Sequence, residues 1–138
     1  MIFTKHKMIR FHHCDPAGIV FYPQYLMLCN EMVEDWFAEA HGVGLEKLLG
    51  SYKKGIPMRH LEAEFLAPGK QGERLEFQLR VEQLGNSSIR LRIDALHDNE
   101  LRFFSNQTMV WSDVEGPCAT KIDDEWRARF LRYQEPEA

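Results

Sequence analysis

No stretch of this chain approaches the roughly 18 consecutive apolar residues that a membrane-spanning helix requires. The opening residues Met1 to Lys7 lack both an apolar core and a small-residue cleavage site, so neither a secretion signal nor a membrane anchor is expected. Cysteine is scarce. Cys14, Cys29 and Cys118 have no paired spacing of the metal-binding kind, and an odd number leaves one unpaired in an oxidising compartment. A cytoplasmic location, with no metal, is the corresponding expectation. Positive charge is also in short supply: 17 Lys and Arg against 21 Asp and Glu give a net charge of -4, which argues against broad binding to nucleic acid. Local basic patches still suffice to hold a phosphorylated small ligand. Repeats, low-complexity tracts and interdomain linkers are absent. What remains is globular in composition, 44% hydrophobic and 28% charged over 138 residues, and reads as a single domain, 1–138, with about 132–138 as a frayed tail.

The hydrophobic pattern changes period along the chain. From about Lys5 to His13, Ile9, Phe11 and His13 alternate with Met8, Arg10 and His12, which predicts a strand. Asp15-Pro16-Ala17-Gly18 then reads as a turn, in which proline fixes φ and glycine permits a positive one. From Tyr25 onward, apolar residues recur every three or four positions through Cys29, Met32, Trp36 and Ala40. This is an amphipathic helix, set between Pro23 and His41-Gly42. One further helical turn is expected at Leu45 to Leu49. Leu61, Ala63 and Phe65, then Leu75 to Val81, then Ile89 to Ala95, occupy alternate positions and predict strands with one apolar face. A less regular strand follows from Leu101 to Trp111. Turn signals at Pro68-Gly69, Gly85-Asn86 and Asp98-Asn99 predict an antiparallel meander, and Asp123 is placed to cap a last helix carrying Trp126 and Phe130. A sheet wrapped around one long helix gives an α+β domain. Its uncovered sheet edge favours pairing between copies, and a homo-oligomer is expected.

The run Cys14-Asp15-Pro16-Ala17-Gly18-Ile19-Val20-Phe21-Tyr22-Pro23-Gln24-Tyr25 closely resembles the signature of the 4-hydroxybenzoyl-CoA thioesterase family. The order of elements is similar over nearly the whole chain. The resemblance implies the hotdog fold, active sites at subunit interfaces, a dimer or dimer of dimers, and an acyl-CoA substrate without a cofactor. It also implies that Asp15 is catalytic and that the backbone amide of Tyr22 polarises the thioester carbonyl. The His12-His13 pair departs from the acidic pattern of the 4-hydroxybenzoyl enzyme, so the acyl group stays open between aromatic and short to medium chains, as does CoA against a carrier protein.

The residues themselves suit this chemistry. Thioester hydrolysis needs a stabilised oxyanion and an attacking group. Amides at a helix start have no intrahelical acceptor and lie at the positive end of the dipole, so those near Val20, Phe21 and Tyr22 are candidates, whereas Pro23 cannot donate. Asp15 serves as nucleophile or as general base, and Gly18 allows close approach of the acyl thioester. His13 and Val20 are candidate substrate contacts. Glu31, Glu34 and Asp35 are further carboxylates on the helix, where other hotdog families place a catalytic one. His12 and His13 on a strand would point to opposite faces and not converge on a metal. Cys14 reads as a small buried residue. Arg90, Arg92, Lys53, Lys54, Lys70 and Arg74 are candidate partners for phosphates. Two rivals follow: a hotdog hydratase or dehydratase, which needs a histidine set beside a carboxylate, and a non-catalytic protein that binds acyl thioesters.

Overall fold

A computed structural model describes residues 1–135. Its five-stranded antiparallel sheet runs in the order β1 (Phe3–Met8), β4 (Arg74–Leu84), β5 (Ser88–His97), β6 (Glu100–Val110) and β3 (Met58–Phe65). Helix α1 (Tyr22–Asp35) packs on one face of the sheet. Alternation sets that face: Leu75, Phe77, Leu79 and Val81 of β4 and Ile89, Leu91, Ile93 and Ala95 of β5 are all essentially buried. Each larger aliphatic or aromatic side chain so placed stabilises the fold by about 1.5–3 kcal/mol. From the helix, Tyr25, Leu28, Cys29, Met32 and Val33 meet them at three- and four-residue spacing. The hairpin between β5 and β6 turns on Asp98 and Asn99, with φ of 49° and 65°, the left-handed pair required by a tight two-residue connection.

Helix α1 begins one residue before the expected Pro23, and its end widens into a π-helical turn over Trp36–Ala40. Two adjacent buried aromatics, Trp36 and Phe37, sit in that turn. Helix α2 (Leu45–Gly50) is the short turn expected there, and α3 (Asp124–Leu131) is capped by Asp123, whose Oδ1 accepts from Trp126 N–H at 2.9 Å. A small sheet of β2 (Lys54–Gly55), β7 (Ser112–Asp113) and β8 (Cys118–Ala119) completes the described residues.

Three expectations need correction. The first strand stops at Met8. Ile9 is drawn onto the connection before β4 by two backbone bonds, donating to Glu73 O and accepting from Gly72 N–H, each at 2.8 Å. Phe11–His13 then form a 3-10 turn, so His12 and His13 do not take opposite faces; their ring centroids are 4.0 Å apart. The meander holds only for β4, β5 and β6. Because β1 already occupies the outer edge of β4, β3 pairs instead with β6, Leu61 opposite Gln107 and Phe65 opposite Phe103. This leaves β3 as an open edge whose larger apolar residues are exposed, Leu61 at 40% and Phe65 at 48%, while Ala63 packs half-buried against the core. The tail expected to fray from 132 is held as far as 134: Val81 N–H donates to Tyr133 O at 2.9 Å, and Gln134 Nε2 donates to Glu82 O at 3.0 Å. Residues 136–138, the remainder of that tail, lie outside the described residues.

Candidate active site

The segment between the 3-10 turn and α1 is a tight hairpin. Cys14 and Val20 face each other in an antiparallel bridge, Asp15 N–H donates to Ile19 O, and Gly18 N–H donates to Asp15 O, both at 2.9 Å. Proline at the second position and a left-handed Gly18, φ +79°, fit a type I turn closed by a glycine bulge. The Asp15 side chain reinforces the turn, its Oδ1 accepting from Ala17 N–H at 2.9 Å. Among the described residues Oδ2 has no hydrogen-bond partner. Among the described residues a Cβ on Gly18 would meet nothing within 4 Å, so the backbone angle and not crowding from them requires glycine there.

The helix start is tied on two sides. Val20 N–H donates to Gly69 O and Phe21 N–H to His13 O, both at 2.9 Å. Of the three amides proposed for an oxyanion, two are therefore already engaged. Tyr22 N–H, the first of α1, finds no acceptor among the described residues, and Pro23 beside it has no N–H.

The candidate residues are shared among three neighbouring depressions. Asp15 and Gly18 line one of about 320 Å³ with Phe11, Cys14, Pro16 and Gln71. Val20 and Tyr22 line another of about 240 Å³ with Ile19, Tyr25, Phe65 and Leu66. His13 lines neither. It faces a third, of about 280 Å³, with Arg10, His12 and Glu31. Within one chain, then, the hairpin brings Asp15 and Gly18 to one groove while the helix start opens on another. The second groove is apolar and aromatic: Tyr25 stacks on Phe103 with centroids 4.7 Å apart and planes 4° from parallel, and Tyr22 meets Phe65 edge-on at 6.0 Å. Burial foremost pushes the Tyr25 phenol above its ordinary pKa, which keeps it protonated.

Other candidates recede on contact geometry. Burial, and then the Asp15 carboxylate, push the Cys14 thiol up, against a nucleophilic thiolate. Asp35 is paired with Lys7 at 2.9 Å and Lys5 at 3.6 Å, while Glu34 is exposed. Glu31 opens on the His13 depression and not on that of Asp15. Among the basic residues, Arg90 binds Glu82 and Arg92 binds Asp94, and Lys53 and Lys54 pair with Glu115 and Asp113. Lys70 and Arg74 are exposed and have no carboxylate partner within 4.0 Å among the described residues. Gly69, Phe65, Leu66 and Gln71 were not singled out as site residues from sequence. Pro68-Gly69 carried only a turn signal, and nothing local shows that the turn folds back onto Val20.

Comparison with known proteins agrees with this architecture. Residues 17–103 match the family model described as the thioesterase superfamily. A 1,4-dihydroxy-2-naphthoyl-CoA hydrolase from Synechocystis sp. is 30% identical over 81 residues, 59% of this chain and 58% of the relative, so the match spans less than two thirds of that relative's length. A hydrolase of the same name from Synechococcus elongatus is 32% identical over 95 residues, covering 68% of this chain and 69% of the relative. The crystal structure of a 1,4-dihydroxy-2-naphthoyl-CoA thioesterase from Synechocystis superposes over 99% of this chain and 100% of its own, with a TM-score of 0.86 at 20% identity. That likeness is one of fold.

Proposed function

The chain belongs to the thioesterase superfamily, a family of thioester hydrolases with the hotdog fold, and we propose that it hydrolyses an aromatic acyl-CoA to the free acid and coenzyme A. The observation that carries this reading is the unengaged Tyr22 amide at the helix start, set one short hairpin away from the Asp15 carboxylate. Tyr22 N–H is the donor assigned to the thioester carbonyl oxygen, where a missing oxyanion donor typically costs about 10² to 10³ in rate. The helix dipole adds roughly half a positive charge at the same place.

Asp15 supplies the attacking function. Oδ1 is anchored by Ala17 N–H, and Oδ2 is left either to attack the carbonyl carbon, expelling the thiolate and giving a mixed anhydride that water then hydrolyses, or to take the proton of a water that attacks it. The thiolate leaving group, with a thiol pKa near the cysteine reference of about 8.5, departs without strong acid assistance. No residue of this chain is required to protonate it. Aromatic acyl groups are favoured by the groove of Tyr22, Tyr25 and Phe65 and by the names of the relatives. The open β3 edge favours a dimer joined there, so that a second copy covers the exposed side of that groove.

A thiol-release screen over aryl-CoAs and acyl-CoAs of graded chain length tests the reading, with Asp15→Asn as control. Release from aryl-CoAs that drops by at least about 10³ in Asp15→Asn, at unchanged melting temperature, is the expected result. Near-normal turnover in that variant would remove Asp15 from the mechanism. Release confined to aliphatic chains would remove the aromatic assignment.

A further inference from the structure

His13 ties the two halves of the proposed site together although its ring faces neither groove. Its Nδ1 accepts from Arg10 N–H at 2.8 Å, and its own N–H returns to Arg10 O at 3.0 Å, closing the 3-10 turn from both sides. The next residue begins the Asp15 hairpin, and the His13 carbonyl accepts from Phe21 N–H, the residue before Tyr22. One residue therefore fixes where the hairpin leaves and where the helix returns. The side chain is 6% exposed.

Resting on the hydrolytic reading above, we infer that His13 is a positioning residue: its unprotonated Nδ1 holds the turn that keeps the Tyr22 amide and the Asp15 carboxylate in register. An acceptor is needed at that point because Arg10 N–H has no other partner among the described residues. A proton on Nδ1 would set donor against donor and release the turn. The ring must then be the tautomer with hydrogen on Nε2.

The surroundings favour the neutral form. Burial foremost, followed by the charge of His12, holds the His13 pKa below 6.5, with Arg10 adding to the effect and Glu31 of α1 opposing it. His6 and Lys7 of β1 line the same depression, and the Lys7 ammonium there is paired with Asp35 at 2.9 Å. Displacement of a catalytic group by as little as an ångström costs about 10²-fold in rate, so loss of the turn should act on turnover more than on binding.

The test compares His13→Asn with His13→Ala. Asparagine Oδ1 lies the same number of bonds from Cα as Nδ1 and accepts without titrating. His13→Asn is expected to keep kcat within about threefold of wild type at pH 7.5 and to lose an acid limb that wild type shows below pH 6.5. His13→Ala is expected to lower kcat by about 10- to 100-fold across the pH range with KM changed less than about threefold. In the free wild-type protein, nitrogen NMR should report the Nε2–H tautomer, with protected Arg10 and Phe21 amides. An Nδ1–H tautomer, an Ala variant with normal kcat, or an Asn variant that retains the acid limb overturns the inference. If His13→Ala does not fold, the Asn profile and the tautomer decide it. Wild-type protein that shows the expected tautomer and protection yet releases thiol from no thioester places the failure in the proposed reaction.

Discussion

Val20 N–H donates to Gly69 O over 2.9 Å, binding the entrance of helix α1 to the connection between β3 and β4. The approach is close enough that a Cβ on Gly69 would lie 2.5 Å from Tyr25 Oη and 3.1 Å from Val20 Cγ2. Tyr25 cannot swing aside, because its ring is buried and stacked on Phe103. Gly69→Ala should therefore destabilise the protein by about 1–3 kcal/mol, as overpacking does, and lower turnover with it. Urea unfolding followed by tryptophan fluorescence measures the first, thiol release the second. A variant as stable as wild type would mean that the loop moves freely away from the helix.

Gly18 makes a useful contrast. Its φ of +79° demands a left-handed residue, yet among the described residues nothing stands within 4 Å of a new Cβ. Gly18→Ala should cost about 1–2 kcal/mol of backbone strain, while Gly18→Asn, a residue that tolerates the left-handed region, should cost less. Thermal melts of the two variants separate strain from crowding. Equal losses would point to an unseen steric contact at the turn.

The long-range part of this site was the part hidden in the sequence. Asp15, Gly18 and Tyr22 lie within one run of eight residues whose turn and helix signals are local, so the hairpin and the helix start were legible. The inward rows of β4 and β5 were legible for the same reason, since a period of two with apolar residues on one side has one burial solution. Pairing was not. Nothing in Leu61-Glu62-Ala63-Glu64-Phe65 states that β6 and not β4 is its neighbour, because that choice depends on β1 having taken the other edge. His13 departs from the local alternation because Ile9 is bonded to Gly72 and Glu73 and the 3-10 turn that follows is closed by His13 Nδ1 accepting from Arg10 N–H.

His41 should make stability depend on acid. Burial among Trp36, Phe37, Trp126, Phe130 and Tyr133, helped by Arg129 and Arg132, lowers its pKa to about 4. A depressed value means that the unfolded chain takes the proton first. The contribution is thus fully present above pH 6.5 and is lost as pH falls from about 6.5 to about 4. Discounted for partial exposure, the loss is on the order of 1–2 kcal/mol. Nε2 has no partner among the described residues, so His41→Phe removes the titration without breaking a bond at that atom. Urea titrations at pH 7.5 and 4.5 should show a smaller fall in unfolding free energy for His41→Phe than for wild type. Equal falls would assign the acid sensitivity to groups other than His41, with His13 and the carboxylates as the remaining candidates.

The open edge of β3 is where a charge should do the most damage to assembly. Met58, Leu61 and Phe65 are each at least 40% exposed, a combination that an edge strand normally avoids unless another strand covers it. Antiparallel pairing of β3 with its copy would bury this row and continue the sheet through both subunits. A lysine at Leu61 would put two charges, related by the twofold axis, into the seam that forms. Wild-type protein should therefore scatter light as a dimer or larger at micromolar concentration and melt at a temperature that rises with concentration, whereas Leu61→Lys should be monomeric with a concentration-independent melt. Turnover should fall in the same variant, because Phe65 at the end of that strand meets Tyr22 edge-on and the aromatic groove would lose its cover. If Leu61→Lys stays oligomeric, the copies meet on another surface. If it becomes a monomer of undiminished turnover, the groove needs only one chain.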